Sequence, residues 1–284
     1  METGRPSATA FRVAMRRAAH QVLDEPRVLE DPVALRIIGR ARADAIRGER
    51  GKYDSRFARH LRAFLAARSR YAEDELAAAV SRGVAQYVIL GAGLDTFAYR
   101  NPFAPDVLRV FEVDHPATQE WKRELLKRTN ILVPEGVTFI PVDFASQSLA
   151  DRLAGSGFRI DAPSFFSWLG VTMYLEREGV LSTLRWLATV PSRGSGVVFD
   201  VALAPSTLNW IEKVVFWAMA RRVATTGEPW RATFVPRELV ELLREMGFTR
   251  VEELRARAID ARYFANRADG LRVGTLAALI SART

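Results

Sequence analysis

The residues Val88-Ile89-Leu90-Gly91-Ala92-Gly93-Leu94-Asp95-Thr96 join a buried-type apolar run to a Gly-x-Gly turn. Glycine tolerates positive φ and lets a ligand come close to the main chain. A dinucleotide fingerprint needs a third glycine three residues on, and Thr96 occupies that place, which disfavours a pyrophosphate ligand. No Gly-Lys-Ser/Thr follows, so the turn is not a Walker loop either. Asp95, close behind Gly93, suits a ligand with a cationic amino-acid end. A Gly-x-Gly turn on its own also serves as a simple tight connection.

Two further carboxylates recur where strands are expected to end. Phe111-Glu112-Val113-Asp114 closes about 20 residues after the glycines, the spacing that places an acid against both hydroxyls of an adenosine ribose. Asp114 is equally placed to cap the helix that Pro116 opens. Glu112, two residues earlier on the same face, is an alternative acid. In Pro141-Val142-Asp143-Phe144 an acid can meet an adenine amino group while a ring covers the base.

These positions need a sheet to hold them. Short apolar runs at Gln86–Leu90, Leu108–Val113, Val137–Val142, Ser164–Leu169 and Gly196–Leu203 alternate with helical patterns. One such helix opens at Pro116 and another carries Val180, Leu181, Leu184 and Leu187. This alternation predicts an α/β fold with a mostly parallel sheet covered on both faces. Phe248–Leu254 and Val273–Ser281 read as closing strands. Residues 10–70 read as helices broken near Asp24-Glu25-Pro26 and Asp31-Pro32. A helix from about Arg68 to Arg82 ends at Gly83. The expected organisation is an N-terminal helical cap over residues 1–82 and a core over 83–284. A helical lid over about 205–236 is expected to fold over the carboxyl ends of the strands.

The net charge of +8 is unevenly spread. Residues 1–70 hold 16 Lys+Arg against 8 Asp+Glu, and the remainder is formally neutral. Arginine supplies 37 of the 41 basic residues, a bias that a G+C-rich genome produces without selection for binding. A basic cap favouring an anionic small molecule is the functional alternative, and nucleic acid the weaker one. The absence of cysteine excludes thiolate metal sites and Cys nucleophiles, and no metal site is expected. With no apolar run of about 20 residues and no apolar core in Met1–Thr9, a cytoplasmic protein is expected. The sequence leaves the oligomeric state open.

The combined segments Arg68-Ser69-Arg70-Tyr71, Val88–Thr96, Phe111-Glu112-Val113-Asp114-His115-Pro116 and Trp168-Leu169-Gly170-Val171-Thr172-Met173-Tyr174-Leu175 resemble the leucine carboxyl methyltransferase family. The bacterial branch related to the tetracenomycin carboxyl methyltransferase is the most similar. The resemblance covers roughly residues 8–205. It implies a Rossmann-like class I methyltransferase sheet with one reversed strand, S-adenosylmethionine as methyl donor, and often a carboxylate acceptor. Carried over residue by residue, Arg70 matches the arginine that pairs with the cofactor's carboxylate. Gly91 matches the glycine against its methionine part, Asp114 the ribose acid, and Asp143 with Phe144 the adenine pair. Gly93 and Asp95 complete the expected cofactor set. Leu169 stands where eukaryotic members carry an acid, and Phe97 where an arginine is usual; the first departure bears on the acceptor.

The histidines His20, His60 and His115 stand apart in the sequence, so no general acid–base pair and no catalytic residue can be named. His115 comes nearest the expected site, as a helix-end contact. Trp168, Tyr174, Phe216, Trp217 and Trp230 are candidate walls of an acceptor pocket. The expected function is O-methylation of a carboxylate on a bulky small molecule of secondary-metabolite type. The alternatives are a cofactor-binding protein without catalysis, or transfer to a phenol, an amine or nucleic acid.

Overall fold

The computed structural model describes residues 7–143, 147–190, 194–225 and 227–284. Seven strands form one sheet: β1 (Gln86–Leu90), β2 (Arg109–Asp114), β3 (Val137–Pro141), β4 (Ser164–Trp168), β5 (Gly196–Ala202), β6 (Arg250–Leu254) and β7 (Ala277–Arg283). Their order is β3-β2-β1-β4-β5-β7-β6. The first five pair in parallel, and β7 runs antiparallel to both β5 and β6. This is the parallel sheet that the alternating pattern predicts, with the one reversed strand that the family resemblance implies. The last strand begins four residues later than the apolar run, because the Val273 N–H donates to the Asp260 carboxylate (2.9 Å) instead of a strand.

Alternate residues of each strand face opposite layers. Val88, Leu90, Phe166, Trp168 and Phe199 pack with α7 (Arg177–Thr189) and α9 (Pro236–Glu245). Tyr87, Ile89, Phe165, Val198 and Leu279 pack with α4 (Arg56–Val80) and α10 (Ala256–Tyr263). A third cluster joins α1 (Ala8–Leu23), α2 (Pro32–Ile37) and α3 (Arg40–Gly48) to Leu126 of α5 (Pro116–Arg128). α6 (Leu149–Ala154) and α8 (Trp210–Ala224) complete the helices of the described residues. None of these helices is long and apolar enough to cross a membrane.

The helix expected from Arg68 is longer: α4 begins at Arg56 and runs unbroken for 25 residues. Its first half is hard to read because charged Arg62 and Arg68 lie on its buried face among Ala63, Phe64 and Leu65. Such burial is tolerated only with a partner. Arg62 donates from Nε and Nη2 to the two oxygens of buried Asp24, both at 2.7 Å. His20 Nδ1 lies 2.8 Å from the same carboxylate. His20 Nε2 accepts from the Val28 and Leu29 N–H groups, which assigns the ring proton to Nδ1.

Burial alone raises the Asp24 carboxyl pKa; the hydrogen bonds from Arg62 and His20 outweigh it and hold the group at about 2. A depressed carboxyl contributes stability above its unfolded pKa of about 3.9 and loses it as pH falls through the folded value. Asp24→Asn leaves Arg62 buried without its counter-charge and should cost roughly 3 kcal/mol at pH 7. In thermal unfolding, the deficit relative to the wild type should shrink as pH falls from about 4 towards 2. Equal melting temperatures at pH 7 would remove this pair from the account of how α1 is held to α4.

Candidate active site

The winding reverses at β1, whose neighbours are β2 on one side and β4 on the other. Chains leaving the two strands diverge to opposite faces and leave a crevice at their carboxyl ends. The β1 turn is held from below, since the Gly91 and Ala92 N–H groups donate to the Val113 carbonyl at 2.8 and 3.0 Å. Gly91 has φ +66° and faces the β4 loop so closely that a Cβ would overlap Val171. Only glycine fits there, for both reasons.

Asp114 stands at the end of β2 beside this turn. Its carboxylate accepts from the Gly93 N–H and, at 2.6 Å, from the His115 N–H. Burial raises the Asp114 pKa against the opposing effect of those donors. Each oxygen keeps a second lone pair for a ligand hydroxyl. Asp143 lies on the same cavity wall, and Phe144 lies outside the described residues. Glu112, the alternative acid, is excluded from the cavity. It is buried, 2.7 Å from Lys122 Nζ, and accepts from the Tyr99 hydroxyl at 3.1 Å.

Asp95 also lines the cavity, and its bonds are structural. It accepts from Arg17 at 2.9 Å and from the Phe97 N–H at 2.8 Å. Burial pushes its pKa up, but Arg17 and Lys122 outweigh that and hold the carboxyl below its ordinary value. Arg17 bonds Asp31 (2.6 Å) and Thr96 (2.8 Å) as well, so α1 is clamped onto the glycine turn.

Of the two arginines in Arg68-Ser69-Arg70, it is Arg68 that lines this cavity, and not the expected Arg70. Arg68 is buried, donates to Asp200 at 2.8 Å, packs under Gly170, and keeps a buried Nε without a hydrogen-bond partner. Two residues on, Arg70 is rotated by about 200°. It is half exposed, pairs with Asp74 at 2.7 Å and belongs to a separate hollow beside Arg262 and Tyr263. The missed signal is periodic. Phe57, His60, Leu61, Phe64, Leu65, Arg68 and Ser69 all line the cavity at the i, i+3, i+4 spacing of one helix face. Starting the helix at Arg68 hid that face, and His60 with it.

The cavity encloses about 1400 Å³. Of the five expected walls, Tyr174 and Trp230 line it. Trp168 is fully buried in the α7 face of the sheet, because its position on β4 points it away from Ser167. Phe216 is packed in the core against Trp230, with ring centroids 5.1 Å apart. Trp217, next along α8, is 57% exposed on the outer surface. α8 turns Ile211, Val215 and Met219 to the cavity instead. His115 lines the cavity too, and its Nδ1 accepts from the Ala117 N–H at 3.3 Å, so it caps α5.

A doubly wound sheet with a glycine turn after β1 and an acid ending β2 is the architecture of class I S-adenosylmethionine-dependent methyltransferases. Solved structures agree on the fold. A Thermobifida fusca protein described as a methyltransferase superposes with a TM-score of 0.54 at 14% identity, over 100% of this chain and 96% of that one. A Streptomyces avermitilis DUF574 protein gives 0.54 at 16%, over 95% and 97%. The leucine carboxyl methyltransferase profile matches residues 10–188. YktD of Bacillus subtilis, named for S-adenosyl-L-methionine-dependent methyl transfer, is 40% identical over 210 residues, 72% of this chain and 67% of its own length. A Mycolicibacterium gilvum protein named for the same activity is 31% identical over 149 residues, 52% of this chain and 60% of its own. The chain belongs to the leucine carboxyl methyltransferase family, and its cofactor is S-adenosylmethionine. The match spans about two thirds or less of these relatives' own length.

The residues present fit that cofactor. Gly91 lines the cavity with main chain alone, Asp114 has acceptor capacity left, and Arg68 carries an unpartnered N–H. Arg68→Lys removes the planar fork and should weaken S-adenosylhomocysteine binding by about tenfold or more, whereas Arg70→Ala should leave it unchanged. Asp114→Asn should also lose about tenfold, with little change in the melting temperature of the ligand-free protein. Calorimetric titration decides each case. Normal binding by the Arg68 variant together with weakened binding by the Arg70 variant would return the role to Arg70.

Proposed function

We propose that this protein methylates a carboxylate oxygen on a bulky, anionic small molecule. The observation that carries this reading is the lining of the cavity beyond the cofactor residues. That part combines apolar groups, among them Leu61, Phe64, Met173 and Trp230, with the guanidinium groups of Arg12, Arg16, Arg56, Arg222 and Arg272. Such walls suit an apolar body carrying negative charge. No nucleic acid is needed to account for these cations, because they line a concave cavity and not an outer stripe. A cytoplasmic place in secondary metabolism belongs to the same proposal.

The proposed roles follow from placement. Arg68 holds the carboxylate of S-adenosylmethionine, Gly91 admits its methionine part, Asp114 binds its ribose hydroxyls, and Asp143 meets the adenine. Asp95, fixed by Arg17, keeps the glycine turn in place. When bound, S-adenosylmethionine supplies an electrophilic methyl group on a sulfonium. The helical lid of about residues 205–236 and the N-terminal helices cover the crevice. The Thr9 N–H and hydroxyl both donate to the Glu228 carboxylate, which joins the start of α1 to the segment after α8. Tyr174 and Trp230 exclude water from the acceptor oxygen and align it for in-line attack. A carboxylate is ionised at neutral pH, so no side chain need remove a proton.

His60 favours a second reading, transfer to a phenol or other hydroxyl. It lines the cavity, and burial followed by the charges of Arg272 and Arg56 lowers its pKa, which keeps a neutral imidazole available as a base. It lies about 12 Å along α4 from Arg68, two turns from the cofactor's expected anchor. A methyl ester is cleaved to methanol by mild base, while a phenol ether or N-methyl group survives. Incubation with methyl-labelled cofactor and a panel of aromatic acids, phenols and amines should give label that becomes volatile after base, undiminished in His60→Gln. Base-stable label that disappears in His60→Gln would replace the ester reading with the hydroxyl one.

A further inference from the structure

Among the described residues, the buried arginines and the half-buried Arg100 are paired with carboxylates. Arg17 meets Asp31 and Asp95, Arg62 meets Asp24, Arg68 meets Asp200, and Arg100 meets Glu73. Arg16 breaks the pattern. It is half-buried on the cavity wall, and its guanidinium bonds only the Arg12 carbonyl, at 3.2 Å. Arg12, one turn earlier on α1, and Arg222 on α8 line the same cavity. Among the described residues none of the three forms a salt bridge. The acids of the α8 side of the cavity bond neutral donors and not these arginines. Glu212 accepts from the Asn209 N–H at 2.9 Å in the capping box of α8, and Glu228 accepts from Thr9. Burial, then the charges of Arg222 and Arg12, lower the Arg16 pKa, so the neighbours oppose its charge. Three arginines on one cavity, two of them a single turn apart on α1 and none with an ion-pair partner, is the arrangement an incoming anion would relieve.

We propose that Arg12, Arg16 and Arg222 form a site for a second anionic group of the acceptor, separate from the carboxylate that receives the methyl group. This rests on the carboxylate reading above. The reacting oxygen is the less suitable occupant, because three guanidinium groups would stabilise it before transfer and slow the reaction. Position agrees: Ala10 of α1 packs over Gly93, and Arg16 lies about 9 Å further along that helix. The acceptor class is therefore a dianion, with a carboxylate at the reacting end and a carboxylate, sulfonate or phosphate group at the other.

The test uses the full chain saturated with S-adenosylhomocysteine, so that the cofactor site is filled. Calorimetry compares naphthalene-2-carboxylate, naphthalene-2,6-dicarboxylate and inorganic pyrophosphate on the wild type, Arg16→Gln and Arg222→Gln. The dicarboxylate should bind the wild type at least about tenfold more tightly than the monocarboxylate, and each substitution should erase that advantage. Pyrophosphate binding should weaken in parallel. The S-adenosylhomocysteine affinity should not change, and the melting temperature of ligand-free Arg16→Gln should equal or exceed the wild-type value, which a merely structural arginine would not give. Equal binding of the two acids overturns the second anion while leaving the carboxylate reading in place. Binding of pyrophosphate through Arg16 without binding of either acid keeps the anion site and removes the aromatic carboxylate reading. A tenfold loss of S-adenosylhomocysteine affinity in Arg16→Gln overturns the proposal, since the arginines would then serve the cofactor.

Discussion

The site depends on one constraint, the reversal of winding at β1. β1 carries β2 and β3 on one flank and β4 and β5 on the other, so the chain must leave neighbouring strands towards opposite faces. The gap between those exits is where Gly91 meets Val171. Asp114, Asp143, Gly170 and Asp200 then line one cavity although up to 86 positions separate them in the chain. A side chain at Gly91 would collide with Val171 and force the β1 and β4 loops apart, which is why a single glycine has consequences out of proportion to its size.

Around this gap the protein is held together by paired charges as much as by apolar packing. Arg17 joins α1 to the turn that follows β1, Arg62 joins α4 to the segment after α1, and Arg68 joins α4 to the end of β5. Buried pairs of this kind contribute little net stability compared with apolar residues of the same size. They are directional, however, and a carboxylate with two donors accepts few alternative placements. The N-terminal helices therefore sit over the glycine turn in one register. The basic excess of residues 1–70 divides accordingly. Arg17, Arg62 and Arg68 answer to internal carboxylates, and Arg12, Arg16 and Arg56 remain to face the cavity.

Apolar pattern and special residues were enough to determine the sheet, the glycine turn and the acid ending β2. Strand positions follow from runs of residues adjacent in the chain, and Gly91 and Asp114 lie at fixed offsets from those runs. Local order also sufficed for Asp31-Pro32 as a helix start and Gly83 as a helix end. Arg68, Trp168, Phe216, Trp217 and His60 were decided elsewhere. Arg68 is chosen over Arg70 by the direction α4 faces, and that direction is set by Asp200, 132 positions away. Trp168 and Phe216 resemble pocket walls in composition, yet each points into the core because the neighbouring position on its strand or helix points to the cavity. The chain order records which residues are near the ends of strands. Which of two neighbouring side chains reaches the ligand depends on rotation about an element's axis, and only packing between distant segments fixes that rotation.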